Sequence, residues 1–331
     1  MVTAFSPEVW TATLVLLLAI VGFDLVVIGR RSGPVTLRDA SRWVILYVAL
    51  AALFGVALVW LGPPGTGTEF FAGYLTEYSL SVDNLFVFLL IMTRFAVPAG
   101  AQDKVLYVGI VLSMLLRAAL IFAGAAAIAA ASWTFVVFGV FLAYTALRLI
   151  LSGEDEAEFE EGVTVRALRR VIPITPGYEG RRLAVRRAGR TMITPLFLAV
   201  AAIAVANVVF AVDSIPAIFG LTDDAFVVLT ANAFALMGLR QLYFMIGGLM
   251  QRLSYLNYGL AAILGFIGVK LVLEGVVPHL ASVGPVRLPE IGTGTSLLVI
   301  LGLLVAVGLA NVVRALVVGP PERLPEHELV D

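Results

Sequence analysis

Apolar residues in this sequence come in long unbroken runs divided by short polar stretches. The runs fall at about 10–28, 43–61, 70–92, 105–128, 132–151, 192–218, 225–250, 257–277 and 296–318. A helix needs about 20 apolar residues to cross the hydrocarbon core of a bilayer. Spanning β-strands would alternate apolar with polar positions, and these runs do not. The pattern therefore predicts an all-α, polytopic membrane helix bundle of nine transmembrane helices forming one membrane domain. The first run contains Asp24 and ends at Arg30-Arg31. No basic segment precedes it and no small-residue cleavage site follows it, so it reads as a retained helix.

Composition agrees. Of 331 residues, 60% are hydrophobic and 14% charged, and the mean hydropathy is +1.01. A soluble domain has about 25% charged residues, so this chain needs lipid as part of its solvent. A net charge of −1 gives no global field for nucleic acid. The absence of cysteine excludes disulfides, thiolate metal sites and Cys nucleophiles. The only histidines, His279 and His327, lie outside the apolar runs, which removes most zinc-type and Ser-His chemistry at membrane depth.

Lys and Arg concentrate in alternate connections: Arg30, Arg31, Arg38 and Arg42, then Arg94 and Lys104, then the connector 152–191. Connections 62–69, 219–224 and 278–295 are poor in them. Positive charge marks the cytoplasmic side, so the N-terminus is expected outside and the C-terminal tail, 319–331, inside. The connector opens acidic (Glu154 to Glu161) and turns basic (Arg166 to Arg190). It reads as a solvated cytoplasmic segment that touches anionic lipid, and as a possible docking site for a cytoplasmic partner.

The chain also resembles itself. YSLSVDN at 78–84 matches VVFAVDS at 208–214, pairing Asp83 with Asp213; further along, Arg117 pairs with Arg240 and Arg148 with Lys270. The units, 70–151 and 192–277, each hold three helices. An odd number makes them opposite in topology, an inverted repeat with its site expected near the midplane. The helices at 10–61 precede the repeats, and the helix at 296–318 follows them.

A carboxylate at the centre of a spanning helix costs about 2.5–3.5 kcal/mol on insertion scales. Asp83 is such a residue. Thr76, Ser79 and Asp83 share one helical stripe, and Glu77, Ser81 and Asn84 an adjacent one, giving a polar wedge that must face protein or water. Tyr78, Val82, Leu85 and Leu89 are left to meet lipid or another helix. In the second unit Asn207 and Ser214 share a stripe beside Asp213, and Pro216 is expected to free the carbonyls of Val212 and Asp213. Carboxylates with freed carbonyls suit hard cations such as Mg, Ca or Mn. The rival reading is structural: Asp83 and Asp213 ion-paired with Arg117 and Arg240. In a mixed reading, an arginine replaces the departing cation. Asp24 reads as a helix-end residue, and Lys270 and Glu274 as interfacial.

The segments TEYSLSVDNLFVFLLIMTRFAVP at 76–98 and FAVDSIPAIFGLT at 210–222 resemble the signature segments of the TerC family of bacterial membrane proteins, as do 230–249 and 258–273. The resemblance implies a LysE-like exporter in the bacterial plasma membrane, with Mn²⁺ favoured as substrate, and an association with tellurium resistance. It carries the family's acidic motif onto Glu77, Asp83, Asn84, Asp213 and Ser214. Ala204 and Asn207 stand where family members commonly have acidic residues.

The resulting expectation is a secondary transporter, not an enzyme, with no permanently bound cofactor. It would export a hard divalent cation, Mn²⁺ foremost, ligated by Glu77, Asp83 and Asp213 with neutral oxygens from Asn84, Asn207 and Ser214. The alternatives are a non-transporting membrane scaffold and a tellurite or oxyanion carrier using Arg117 and Arg240.

Overall fold

The computed structural model describes residues 5–23, 37–131, 133–151, 172–187, 190–246, 255–280 and 291–318. Helices α1 (Pro7–Phe23) and α2 (Leu37–Leu61) lead into the first unit, α3 (Thr66–Arg94), α4 (Ala99–Ala130) and α5 (Thr134–Leu151). Strands β1 (Ala184–Arg187) and β2 (Arg190–Ile193) precede the second unit, α6 (Pro195–Phe219), α7 (Ala225–Leu236), α8 (Leu239–Ile246) and α9 (Leu256–Leu280), and α10 (Thr293–Val318) follows. With α7 and α8 taken together, eight spans among the described residues are long and apolar enough to cross a membrane, and α1 is a shorter apolar helix. Residues 24–28 of the expected first span, Asp24 among them, and 152–171 of the charged connector lie outside the described residues.

Two features depart from the expected pattern of unbroken helices and coil. The span expected at 225–250 is interrupted at Met237-Gly238. Gly238 has φ +82°, a left-handed conformation that side chains disfavour, and a Cβ there would lie 2.8 Å from Tyr47 Cδ2. The connector also contains an antiparallel strand pair, with Arg187 opposite Arg190. This hairpin is tied down: the Tyr178 hydroxyl donates to the Phe95 carbonyl, Lys104 Nζ donates to Arg181 O at 2.6 Å, and the Thr194 hydroxyl donates to Arg182 O at 2.8 Å. Ile172, Ile174 and Leu183 join the core formed by α3, α4 and α6.

Each helix of the first unit packs antiparallel on its counterpart. For α3 and α6, a Cβ on Gly73 would meet Ile218 at 3.5 Å, and one on Gly109 would meet both Ile203 (2.7 Å) and Phe88 (3.8 Å). For α5 and α9, a Cβ on Gly139 would lie 2.6 Å from the Gly268 carbonyl, and one on Gly275 would lie 2.5 Å from Val136. Small residues let these backbones approach where lipid supplies no hydrophobic drive between helices. For α4 and α8, Arg240 reaches back to Asp103.

The bundle is layered. Along α7 every residue but Leu229 is buried, and α3 is the other inner helix, its Leu85 fully buried and Tyr78, Val82 and Leu89 partly buried against the same core. Outer faces of α2, α5 and α10 expose Ile45, Leu53, Val140, Leu147, Leu298 and Leu309, as lipid-facing surfaces do. The start of α1 lies at the same end as the start of α7, through Phe5 and Phe226. The end of α10 lies at the other end, where Asn311 accepts from Tyr255 N. The described N- and C-terminal helices thus begin and finish on opposite faces.

Candidate functional site

The polar wedge of α3 faces inward. Thr76, Glu77 and Ser81 are fully buried, and Ser79 and Asn84 nearly so. α6 turns Val205, Val208, Val209 and Val212 outward and Ile203, Asn207, Ala211 and Ser214 inward. Interpolating between the close approaches at Gly73 and Gly109 sets Glu77 level with Ser214 and Asn84 level with Asn207. Asp83 is six positions along α3 from Glu77, about 9 Å at 1.5 Å per residue. The side chains of Asp83 and Asp213 lie outside the described residues, so their predicted ligand roles have no geometry beyond these helix positions.

At the centre of the wedge Glu77 forms an ion pair with Arg117 from α4. Both side chains are sealed from solvent. Ser81 Oγ donates to Glu77 Oε1 at 3.4 Å. The Asn84 amide, oriented to suit both neighbours, donates to Leu80 O at 3.2 Å and accepts from Arg117 Nη2 at 2.9 Å. Four buried polar atoms here have no hydrogen-bond partner among the described residues: Thr76 Oγ1, Glu77 Oε2, Arg117 Nε and Ser214 Oγ. An unpaired buried polar atom costs about 1–3 kcal/mol, so a cluster of them is atypical of a finished core. Asn207 Nδ2 donates to the Gly109 carbonyl at 2.9 Å, tying α6 to α4. α6 continues through Pro216, which has no N–H, so Val212 O lacks its usual helical donor.

Arg240 sits just beyond the helix break. Its Nε and Nη2 donate to Asp103 Oδ1 at 3.0 and 2.8 Å, Nη1 donates to the Tyr107 hydroxyl at 3.0 Å, and its guanidinium lies 4.8 Å from the Tyr107 ring centre. Sequence reasoning missed Asp103 because α4 was expected to start at 105. The helix starts at Ala99, which puts Asp103 and Tyr107 one turn apart on one face, an i, i+4 signal that was present in the sequence.

The opposite end holds a second polar cluster. A cavity of about 480 Å³ is lined by Glu69, Thr222, Asp223, Lys270 and Glu274, among others. Thr222 donates to Glu69 at 2.6 Å. Lys270 is buried, donating to Gly220 O at 2.6 Å and pairing with the partly exposed Glu274 at 3.2 Å. Among the described side chains, no group of three or more His, Cys, Asp or Glu gathers to hold a metal.

An inward-facing polar wedge within a lipid-exposed shell defines a multi-pass helical membrane protein with a buried ionic centre. The integral membrane protein TerC family model matches residues 63–315, and the chain belongs to that family. It is 40% identical to an uncharacterized membrane protein of Myxococcus xanthus over 94% of this chain and 93% of that protein. It is 43% identical to one of Mycobacterium tuberculosis over 89% of this chain and 77% of the relative. Alx of Escherichia coli, provisionally named a membrane-bound redox modulator, is 38% identical over 86% of this chain and 92% of its own length. No solved structure matches.

Proposed function

We propose that this protein is a secondary transporter that exports a hard divalent cation, Mn²⁺ foremost, across a bacterial plasma membrane, with its N-terminus outside and its C-terminus cytoplasmic. The observation that carries the reading is Glu77, a fully buried carboxylate on an inner helix whose second oxygen has no partner among the described residues. The hydroxyls of Thr76 and Ser214 are likewise unpaired, and all three are hard oxygens of the kind Mn²⁺ and Mg²⁺ take. Asp83 and Asp213 would complete the ligand set, and protons taken up by the carboxylates as the ion leaves would couple the cycle. Asn84, Asn207 and Ser214 would add neutral oxygens.

The charge asymmetry supports the orientation. Arg94, Lys104 and the hairpin arginines gather at one face, Glu69, Asp223 and Glu274 at the other. An oxyanion carrier built on Arg117 and Arg240 is disfavoured, because each guanidinium already faces a carboxylate. The redox role in the name of the Alx relatives would have to be indirect here, since the chain has no cysteine thiol to exchange.

The test is flux in proteoliposomes across Mn, Mg, Ca, Fe and Zn, with Glu77→Gln, Asp83→Asn and Asp213→Asn beside the wild type. Mn²⁺-dependent flux that each variant abolishes is the expected result. Unchanged flux in the variants would remove the ligand assignment, and no flux of any cation in the wild type would remove the transporter.

A further inference from the structure

We propose that Arg117 is the resident counter-cation of this site: its guanidinium occupies the Glu77–Asn84 seat when no metal is bound, and metal loading requires it to withdraw. This inference rests on the cation-transport reading above.

The guanidinium grips both kinds of oxygen a cation would use there. It pairs with the carboxylate of Glu77 and donates at 2.9 Å to the side-chain oxygen of Asn84, seven positions along the same helix. It therefore spans two turns of α3 along the Glu77–Ser81–Asn84 stripe. It is also an imperfect occupant. Among the described residues its Nε–H finds no acceptor, and Glu77 Oε2 and the hydroxyls of Thr76 and Ser214 find no partner. A structural ion pair selected for stability would fill these valences, because a fully buried pair is repaid only when its remaining hydrogen bonds are satisfied. A spare cationic donor beside spare oxygens is the arrangement expected when the oxygens also serve a second cation.

The scaffold around Arg117 is fixed. α4 is clamped to α6 on both sides of it, at Gly109 against Ile203 and at Gly124 against Phe219, where added Cβ atoms would lie 2.7 and 2.8 Å from those side chains. A rigid helix with a long side chain between two clamps can move the charge by rotamer change alone. The exchange balances charge only with a proton. A departing Mn²⁺ takes two positive charges from Glu77, Asp83 and Asp213; the returning guanidinium replaces one, and a proton taken up by one of the carboxylates replaces the other.

The prediction concerns affinity and turnover together. An occupant that fills the seat for most of the time weakens apparent metal affinity by the fraction of time the seat is free. Arg117→Gln, which removes the competing charge, should bind Mn²⁺ about 10-fold tighter if the seat is occupied about 90% of the time, while exchange flux falls, because nothing displaces the ion. Arg117→Lys keeps a charge for Glu77 but cannot grip Glu77 and Asn84 together. It should bind Mn²⁺ several-fold tighter than the wild type and retain most of the flux.

Binding would be measured by titration calorimetry of the purified full chain with MnCl₂, and flux in proteoliposomes. If Arg117→Gln does not fold, Arg117→Lys decides, since its buried carboxylate stays paired. Tighter binding in the folded variant upholds the proposal. Weaker or unchanged binding in Arg117→Lys overturns it and makes Arg117 a purely structural partner. Glu77→Gln separates the two levels. If the wild type binds Mn²⁺ and Glu77→Gln does not, yet neither Arg117 variant tightens, only the counter-cation role fails. A wild type that binds no divalent cation removes the transport reading and this inference with it.

Discussion

Two arginines that the internal duplication matches live in opposite settings. Arg117 lies in the middle of an unbroken helix, fully sealed, opposite a fully sealed carboxylate. Arg240 lies just past the break at Met237-Gly238, and although its side chain is 3% exposed, its partner Asp103 is 30% exposed and a tyrosine hydroxyl and two aromatic rings share the load. The same residue type thus serves two ends: in the first unit it neutralises charge where water cannot, in the second it fastens a broken helix near one end of the bundle. The sequence match between the two units does not carry over to the partners, and it is the local partners that decide what each arginine does.

The comparison is broken most severely at the first pair. Arg117→Ala leaves Glu77 buried without compensation, and breaking such a pair costs about 3–5 kcal/mol. Thermal unfolding in detergent should show this loss, and the double variant Glu77→Gln/Arg117→Gln should recover most of it, since two neutral amides can bond each other. A loss below about 1 kcal/mol for Arg117→Ala, the range of solvent-screened pairs, would mean the centre is wetter than its burial indicates.

Asp103→Asn is the matching change at the second pair. A hydrogen bond to a charged group contributes about 1.5–3 kcal/mol, and the partial exposure of Asp103 together with the remaining Tyr107 contact brings the expected loss to about 1–2 kcal/mol in the same assay. Equal losses from Arg117→Ala and Asp103→Asn would erase the distinction between a sealed and a screened pair. The helix break itself gives a third handle. Gly238→Ala places a side chain at φ +82°, which costs about 1–2 kcal/mol, and its Cβ presses on Tyr47. Adding Tyr47→Ala should relieve the pressure of that contact and leave the backbone part.

Much of this was legible in the sequence. Run length and composition gave the helical bundle, because in lipid an unsatisfied backbone cannot persist and continuous apolar runs have little choice but helix. The adjacent stripes of Thr76 with Ser79 and of Glu77 with Ser81 and Asn84 announced the buried face of α3, because polar side chains at helical spacing must turn away from lipid. The partners were not legible. Periodicity says which face of a helix is buried and nothing of what stands across from it. Arg117 therefore looked like a partner for Asp83, whereas the described contacts of its guanidinium are with Glu77 and Asn84. The break at Gly238 was hidden because LTANAFALMGLRQLYF holds no proline, and only a positive φ distinguishes that glycine from the helix glycines at 109 and 124. Lys270 lies seven residues before the end of its apolar run, a position that says nothing of the Gly220 carbonyl it bonds or of the cavity with Glu69 and Thr222 that it lines.

The hairpin supplies the solvent-exposed end of the series. Arg187 Nη2 and Glu179 Oε1 are 2.6 Å apart, but their side chains are 57% and 32% exposed. Water and salt compete for both groups, and pairs of this kind contribute about 0–1 kcal/mol. Glu179→Gln should accordingly leave the melting transition nearly unchanged, and whatever small difference exists should vanish in 1 M salt, where the screening length falls to about 3 Å. Tyr178→Phe, one residue away, is the control. It removes the hydroxyl bonded to the Phe95 carbonyl and should cost about 1 kcal/mol with no salt dependence, because the lost bond is neutral and partly buried. If instead Glu179→Gln costs more than Tyr178→Phe, the hairpin is held by charge rather than by packing on α3 and α4. The gradient from sealed to screened to exposed pairs would then fail to order the stabilities of this molecule.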